Sequence, residues 1–238
     1  MTILEVPYKY IQKPYRFTIQ PFKMTFEQYL KLKRVLDVSF CIFLIPFLII
    51  PFILISLAIV IDSPGSPVFS QERVGYRGKK FRILKFRTLW KDYDLKEDRK
   101  YMKSYINGGV VDHSPEDERV AKFKPLHNHD VTRVGKILRK TSLDELPQII
   151  NVLRGEMTIV GPRPNVVWEV DAYKPWHYVR LNVQPGITGL AQVLGRSEIS
   201  FDDIVRYDIQ YTKNQSLHMD AWIFRRTLNA ILDRNGAG

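Results

Sequence analysis

The sequence has very little cysteine: Cys41 is the only one among 238 residues. A single thiol excludes any disulfide within the chain, so nothing in the composition implies an oxidising compartment. Acidic residues are outnumbered, with 25 Asp and Glu against 36 Lys and Arg, which gives a net charge of +11. A basic balance of this size favours anionic partners, namely nucleic acid, lipid headgroups or phosphorylated substrates.

Charge is almost absent from one long segment, residues 35–61, in which Asp37 is the only charged residue. About 20 apolar residues are enough for a helix to cross a bilayer, so this segment is long enough to do so. An apolar segment next to the basic residues favours membrane lipids and phosphates over nucleic acid as their partners. The segment begins too late and runs too long for a cleaved secretory signal, so we expect it to be retained.

Basic residues lie on both sides of this apolar segment, and Pro46 and Pro51 lie within it. Basic flanks favour the cytoplasmic side of a membrane, and an interior proline bends a helix because it removes a hydrogen bond. A helix that enters one leaflet, breaks near Ile50-Pro51 and returns to the same face satisfies both features. A straight span with a proline kink and a buried helix of a soluble protein are the alternatives. The flanking basic residues are Lys23, Lys31, Lys33, Arg34, Arg73, Arg77, Lys79, Lys80, Arg82, Lys85 and Arg87.

The rest of the chain is predicted to hold a β-hairpin and further helices. The segments VFSQERV and KKFRILKFRTL flank Gly75 and Gly78, a pattern typical of a short hairpin. The polar stretch 91–130 is predicted to be partly helical, in its first portion, and partly mobile. Residues 201–232 are predicted to form two amphipathic helices around a polar break.

Asp144 and Glu145 are the most informative polar pair. Ser142 precedes a segment with helical apolar spacing, and Glu145 stands three residues later, which predicts a capping box at a helix start. Acids in a first helical turn are ordinarily explained by capping and by the helix dipole. In the functional alternative, the helix N-terminus keeps Asp144 ionised and available as a nucleophile, and Glu145 binds a divalent cation.

Basic residues surround this acidic pair in the sequence. Arg163 lies between two prolines, and such a stiff turn suits a fixed phosphate clamp, because guanidinium matches phosphate oxygens in a bidentate way. Lys85 and Arg87 share one face if their segment is a strand. They are candidates for a second phosphate or for lipid headgroups. Others that precede the pair fit an ordinary solvated face when taken singly: Arg133, Lys136, Arg139 and Lys140.

Four segments together resemble the bacterial sugar transferase family, the monotopic polyprenyl-phosphate phosphoglycosyl transferases. They are KRVLD at 33–37, DSPGSPVFSQERVGYRGKKFRILKFRTL at 62–89, TRVGKILRKTSLDELPQIINVLRGEMTIVGPRP at 132–164 and QPGITGLAQV at 184–193. The resemblance implies a mainly α fold with a small β-hairpin, a re-entrant, proline-broken membrane helix and amphipathic helices at the interface. Residues 31–61 would then form the re-entrant helix and 62–238 a cytosolic or interfacial catalytic domain, on the cytoplasmic face of the bacterial inner membrane. Residues 1–30 are rich in aromatic residues and lysines, which independently predicts an interfacial N-terminal arm.

The resemblance also implies a reaction, namely transfer of a sugar-1-phosphate from a UDP-sugar to undecaprenyl phosphate. UMP would be released, and the product would start exopolysaccharide, capsule or O-antigen assembly. Asp144 takes the place of the family's nucleophile and Glu145 that of its Mg²⁺ ligand. Arg139 and Arg163 match arginines near the substrate phosphates, and the strand argument adds Lys85 and Arg87 as substrate-binding residues. Membrane lipids are the other expected partners, nucleic acid is not expected, and a homo-oligomer is left open.

Two features depart from the family pattern. The stretch 91–130 is longer than the usual connection, and Gln184 stands where a basic residue often precedes Pro-Gly-Ile-Thr-Gly. The alternative to an enzyme is a non-catalytic membrane-bound scaffold of the same fold, and UMP release distinguishes the two. The sequence specifies neither the sugar nor the glycan pathway.

Overall fold

A computed structural model describes residues 24–90, 96–107, 130–195 and 199–232. Most of the predicted N-terminal arm, residues 1–23, lies outside the described residues, as do residues 108–129 of the polar stretch. Within the described ranges the chain forms helices and two small sheets. This agrees with the predicted mainly α fold with a small hairpin.

The apolar segment forms one long helix, α1, Phe26–Asp62, of 37 residues. The helix begins earlier than the predicted residue 31, because Thr25 and Gln28 form a capping box in which each side chain accepts the other's backbone N–H. Its most apolar stretch has a mean hydropathy of 3.0, and the helix is long and apolar enough to cross a membrane. Pro46 and Pro51 lie inside it. The place where its axis breaks, and the re-entrant path, stay predictions.

Both ends of α1 rest on the remainder of the protein. Near its start, Arg34 donates to the backbone carbonyl of Leu153 at 3.0 Å. Near its end, the Phe52 ring lies 4.7 Å from that of Phe86, and the Asp62 carboxylate accepts the N–H of Val134 at 2.9 Å. The large apolar side chains between and around these contacts are exposed, among them Ile42, Phe43, Phe47, Ile50, Leu54 and Ile61.

The predicted hairpin is confirmed. Strands β1, Val68–Val74, and β2, Lys80–Phe86, pair antiparallel, with Ser70 opposite Leu84. The short β4, Asn165–Val166, adds to the other edge of β1, which gives the order β2-β1-β4. A separate parallel pair joins β3, Thr158–Val160, to β5, Gly186–Thr188.

Seven further α-helices follow α1 among the described residues. In chain order they are α2 (Lys96–Ile106), α3 (Arg133–Thr141), α4 (Gln148–Leu153), α5 (Val167–Val170), α6 (Leu190–Gly195), α7 (Phe201–Lys213) and α8 (Leu217–Leu232). Helix α2 confirms the helix predicted in the polar stretch, and α7 and α8 confirm the predicted pair. Ile106 of α2 is fully buried and packs in one cluster with Phe201 and Val205 of α7.

The helix start predicted at Ser142 is wrong. Ser142 has φ 57° and ends α3, its N–H donating to the carbonyl of Arg139, and its side chain caps no helix. The chain then makes a 3-10 turn, Leu143–Glu145, and α4 begins only at Gln148. Pro147 stands immediately before α4, where its missing N–H leaves no helical bond unmade.

Candidate active site

Asp144 and Glu145 lie together in the 3-10 turn between α3 and α4. The left-handed Ser142 reverses the chain after α3, so the turn is set apart from both helices. Each carboxylate is mostly covered, with 15% and 17% of its side-chain surface exposed. Two acids in a mostly covered turn need cations close by.

Two cations from distant parts of the chain meet the Glu145 carboxylate. Lys85 Nζ, on β2, lies 2.9 Å from Glu145 Oε1, and Arg163 Nη2 lies 2.7 Å from the same oxygen. Lys85 Nζ also lies 3.9 Å from Asp144 Oδ2. The fold therefore brings together four of the residues predicted from the sequence: Lys85, Asp144, Glu145 and Arg163.

The position of Lys85 depends on Asn151, a fully buried residue of α4. Its side-chain oxygen accepts the N–H of Leu84 at 3.0 Å, and its amide nitrogen donates to the carbonyl of Arg82 at 2.7 Å. The amide thus occupies the edge of β2 as a neighbouring strand would. This bridge sets β2, and Lys85 on it, against the helix that follows the acidic turn.

The two acids have opposite electrostatic environments. Burial alone would raise the pKa of Glu145, but Arg163 and Lys85 lower it well below its usual value, so this carboxylate is ionised. Burial raises the pKa of Asp144, and Lys85 offsets only part of that effect. Three cations lower the pKa of Asp144 and so favour its ionised form: Lys85, which has the largest effect, Arg163 and Arg139. Burial and the nearby Arg163 in turn lower the pKa of Lys85.

The remaining two predicted residues have different surroundings. Arg139 Nε donates to Thr88 Oγ1 at 2.9 Å, and its charge is close enough to lower the pKa of Asp144. The guanidinium of Arg87 donates instead to the backbone carbonyls of Ser63 and Pro64, just after α1. In the structure, Arg87 therefore bonds to the segment just after α1, whereas Lys85 contacts the acids.

Sequence reasoning did not single out Arg73 of β1 as a site residue. Its Nη1 donates to the carbonyl of Pro164 at 3.1 Å, and its Nη2 donates to Gln71 Oε1 at 2.9 Å. Burial lowers its pKa to about 10. Gln71 and Arg73 are two residues apart on β1, so their side chains share one face of the strand. This spacing was the only feature of the sequence that could have indicated their contact.

The acidic turn offers carboxylates that could hold a magnesium ion only together with other ligands. Among the described residues there is no group of three or more His, Cys, Asp or Glu side chains placed to hold a metal by themselves. Mg²⁺ is commonly held by one or two carboxylates together with substrate phosphates and water. Asp144 and Glu145 supply such carboxylates, and Lys85 and Arg163 stand where phosphates would be attracted.

The site is a mostly covered pair of carboxylates with two cations beside it, in a chain that also carries one long apolar helix. Residues 28–234 match the family described as Bacterial sugar transferase. The match covers most of the chain, and the protein belongs to this family.

Several curated relatives are similar over most of this chain. The UDP-galactose-lipid carrier transferase of Erwinia amylovora is 37% identical over 206 residues, which are 87% of this chain and 41% of that protein. The exopolysaccharide production protein ExoY of Rhizobium meliloti is 37% identical over 79% of this chain and 80% of its own length. The UDP-glucose:undecaprenyl-phosphate glucose-1-phosphate transferase of Caulobacter vibrioides is 38% identical over 86% of this chain and 71% of its own. The chain thus spans about two-fifths of the Erwinia protein, and more of the other two.

Proposed function

We propose that the protein transfers a sugar-1-phosphate from a UDP-sugar to undecaprenyl phosphate and releases UMP. The observation that carries the proposal is the meeting of Asp144, Glu145, Lys85 and Arg163 in a member of this family. The names of the Erwinia and Caulobacter relatives describe UDP-sugars and lipid acceptors, which supports the same substrate classes here.

The two cations are suited to hold the donor's diphosphate. The Arg163 side chain is 47% exposed, so its guanidinium can contact Glu145 and, on its exposed side, a phosphate of the bound donor at the same time. Lys85 adds a second, more buried positive charge at the same oxygen of Glu145. A Mg²⁺ ion bound by Glu145 and the donor phosphates would neutralise diphosphate charge and polarise the phosphorus that is attacked.

Asp144 supplies the nucleophile in our proposal. One carboxylate oxygen attacks the phosphorus that bears the sugar, a new P–O bond forms, and the P–O bond to UMP breaks. An oxygen of the undecaprenyl phosphate then attacks the same phosphorus, and the bond to Asp144 breaks. The lipid carries away the phosphosugar as a diphosphate, and the Asp144 carboxylate is regenerated, so the kinetics should be ping-pong.

The contacts of α1 support a re-entrant path on one membrane face. A straight helix of this length would measure about 55 Å, longer than the roughly 30 Å hydrocarbon core. Yet Arg34 near one end and Asp62 at the other both bond to the same domain, through Leu153 and Val134. A straight crossing would carry one end away from that domain. We therefore propose a monotopic protein on the cytoplasmic face of the inner membrane.

Single-cysteine labelling tests this topology. In a Cys41→Ala background, Lys31→Cys and Ser70→Cys place thiols on exposed residues at either side of the apolar segment. Both should react with an impermeant maleimide only in inverted membrane vesicles. Labelling from opposite sides would establish a straight span and overturn the re-entrant path.

The reaction is tested with the purified protein, a panel of UDP-sugars and undecaprenyl phosphate. We expect UMP release and a lipid-linked diphosphate sugar with at least one donor, both dependent on Mg²⁺ and abolished by EDTA. Absence of UMP release with every UDP-sugar would support the non-catalytic scaffold instead. Full turnover in EDTA would remove the metal from the proposal.

A further inference from the structure

The turn that carries Arg163, residues 161–164, is held by hydrogen bonds to its backbone from more than one part of the fold. Gly161 N–H donates to the carbonyl of Thr188 at 2.8 Å, and the carbonyl of Pro162 accepts the N–H of Gly186 at 2.9 Å. The carbonyl of Pro164 accepts from Arg73. These bonds tie the turn to β5 and β1. The carbonyl of Arg163, like that of Pro164, accepts from an arginine side chain, here the buried Arg180.

Arg180 makes that bond from a position with only 3% of its surface exposed. Its Nη2 donates to the carbonyl of Arg163 at 3.0 Å. Its Nη1 donates to Tyr173 Oη at 2.7 Å and to the side-chain oxygen of Asn165. One guanidinium therefore contacts Arg163 of the turn, Asn165 of β4 directly after it, and the more distant Tyr173.

Asp208 of α7 neutralises this guanidinium. Its Oδ2 lies 2.5 Å from Arg180 Nη2, and the two side chains expose only 1% and 2% of their surfaces. Burying such a pair removes two charges from water, and a well-packed apolar pair of similar volume is often as stable or more so. Stability alone therefore does not account for an arginine here. Two apolar side chains, however, would leave the Arg163 carbonyl and the Asn165 amide without this donor.

We propose that Arg180, with Asp208 as its counter-ion, is a positioning residue that sets the Arg163 guanidinium against Glu145 and the donor phosphates. The side chain of Arg163 is half exposed, so little packing fixes its path. Its direction depends on the backbone from which it leaves, and Arg180 holds the carbonyl of that same residue. This inference rests on the proposed function, because it concerns the clamp on the transferred phosphates.

A double-mutant cycle tests whether Arg180 acts through Arg163. The paired change Arg180→Met/Asp208→Leu removes the donor without leaving an unpaired buried charge. It should lower kcat/KM for the UDP-sugar by about 10- to 100-fold, because small displacements of a positioned group have effects of that size. In an Arg163→Ala background the same paired change should alter kcat/KM by no more than about twofold. An equal loss in both backgrounds would overturn the inference, since it would show that the pair supports the fold in general.

Further variants distinguish the positioning role of Arg180 from a loss of folding. The activity of the wild-type protein distinguishes it from a failure of the proposed reaction. Arg180→Lys retains a charge for Asp208 but lacks the planar fork, so it should fold and still lose activity, with the same split between kcat and KM as Arg163→Lys. Wild-type kinetics for Arg180→Lys would contradict the role. Arg206→Met, which alters the Arg206–Asp203 ion pair on the same helix α7, is the matched control and should stay active. A wild-type protein without turnover would refute the proposed function, whereas an active wild type with an additive cycle would refute only the positioning role.

Discussion

Replacing Lys85 by methionine should move the pH dependence of the reaction. Burial raises the pKa of Asp144, and Lys85 is the largest influence that lowers it again. Without Lys85 the pKa of Asp144 should rise further, so a smaller fraction of the nucleophile is ionised at a given pH. The acid limb of the kcat profile should therefore shift to higher pH, and the activity lost on that limb should increase again as the pH is raised.

The distance between the two groups gives the size of the effect. Lys85 Nζ lies 3.9 Å from Asp144 Oδ2, and less than a fifth of either side chain is exposed. Two unit charges about 4 Å apart attract by about 4 kcal/mol in an effective dielectric of about 20. Losing only about 1.4 kcal/mol of this changes the ionised fraction about tenfold on the acid limb. We therefore expect at least about a tenfold fall in rate at a fixed acidic pH.

The assay is UMP release measured from acid to alkaline pH at saturating donor. Lys85→Arg keeps the charge and should leave the acid limb close to that of the wild type. Lys80→Met is the matched control, because Lys80 lies on the same strand with 58% of its side chain exposed and pairs with Glu72. An acid limb that stays in place, or moves to lower pH, in Lys85→Met would refute the electrostatic reasoning.

Four further outcomes follow from the same contacts. Asp144→Asn should abolish turnover and the covalent phosphosugar adduct seen by mass spectrometry, but should not lower the melting temperature, because a buried acid with a raised pKa destabilises the fold once ionised. Glu145→Gln should abolish activity and also destabilise the protein by about 1–3 kcal/mol in denaturant titration, since Lys85 and Arg163 lose a charged partner. In the wild-type protein, folding lowers the pKa of Glu145. The stabilisation by Glu145 is therefore fully present above the pKa of the unfolded state, and it should be lost as the pH falls through the pKa of the folded state. Arg163→Lys should reduce kcat/KM, because lysine lacks the bidentate fork. Arg87→Met should lower the melting temperature and leave kcat nearly unchanged, because Arg87 bonds to backbone carbonyls just after α1. A fall in kcat at an unchanged melting temperature would instead show that Arg87 binds substrate.

Much of the fold could be predicted from local patterns. The hairpin follows from two β-rich segments around Gly75 and Gly78, and α7 and α8 follow from their apolar spacing. The capping pattern at Ser142 wrongly predicted the start of a helix. The same residues also fit the end of α3 and a turn before α4. Proline at 147 was the signal that α4 begins later.

The site could be predicted less completely, because its contacts join distant segments. Lys85 and Arg163 stood out through a strand pattern and a stiff turn, and both reach Glu145. Arg180 and Asp208 carry no such local signal. Their pairing depends on how the 3-10 segment Pro175–Asn182 packs against α7.

The ion pair at the start of α1 has a consequence for how the protein is made. Lys33 Nζ bonds to Asp220 Oδ2 at 2.8 Å, across 187 residues of sequence, and Tyr29 donates to the same oxygen. At translation rates of about 5–20 residues per second, the partner emerges from the ribosome roughly 10–40 s after the lysine. The apolar segment is therefore synthesised well before the acid with which its lysine pairs. A nascent chain that stops before Asp220 would leave both Lys33 and Tyr29 without their shared carboxylate.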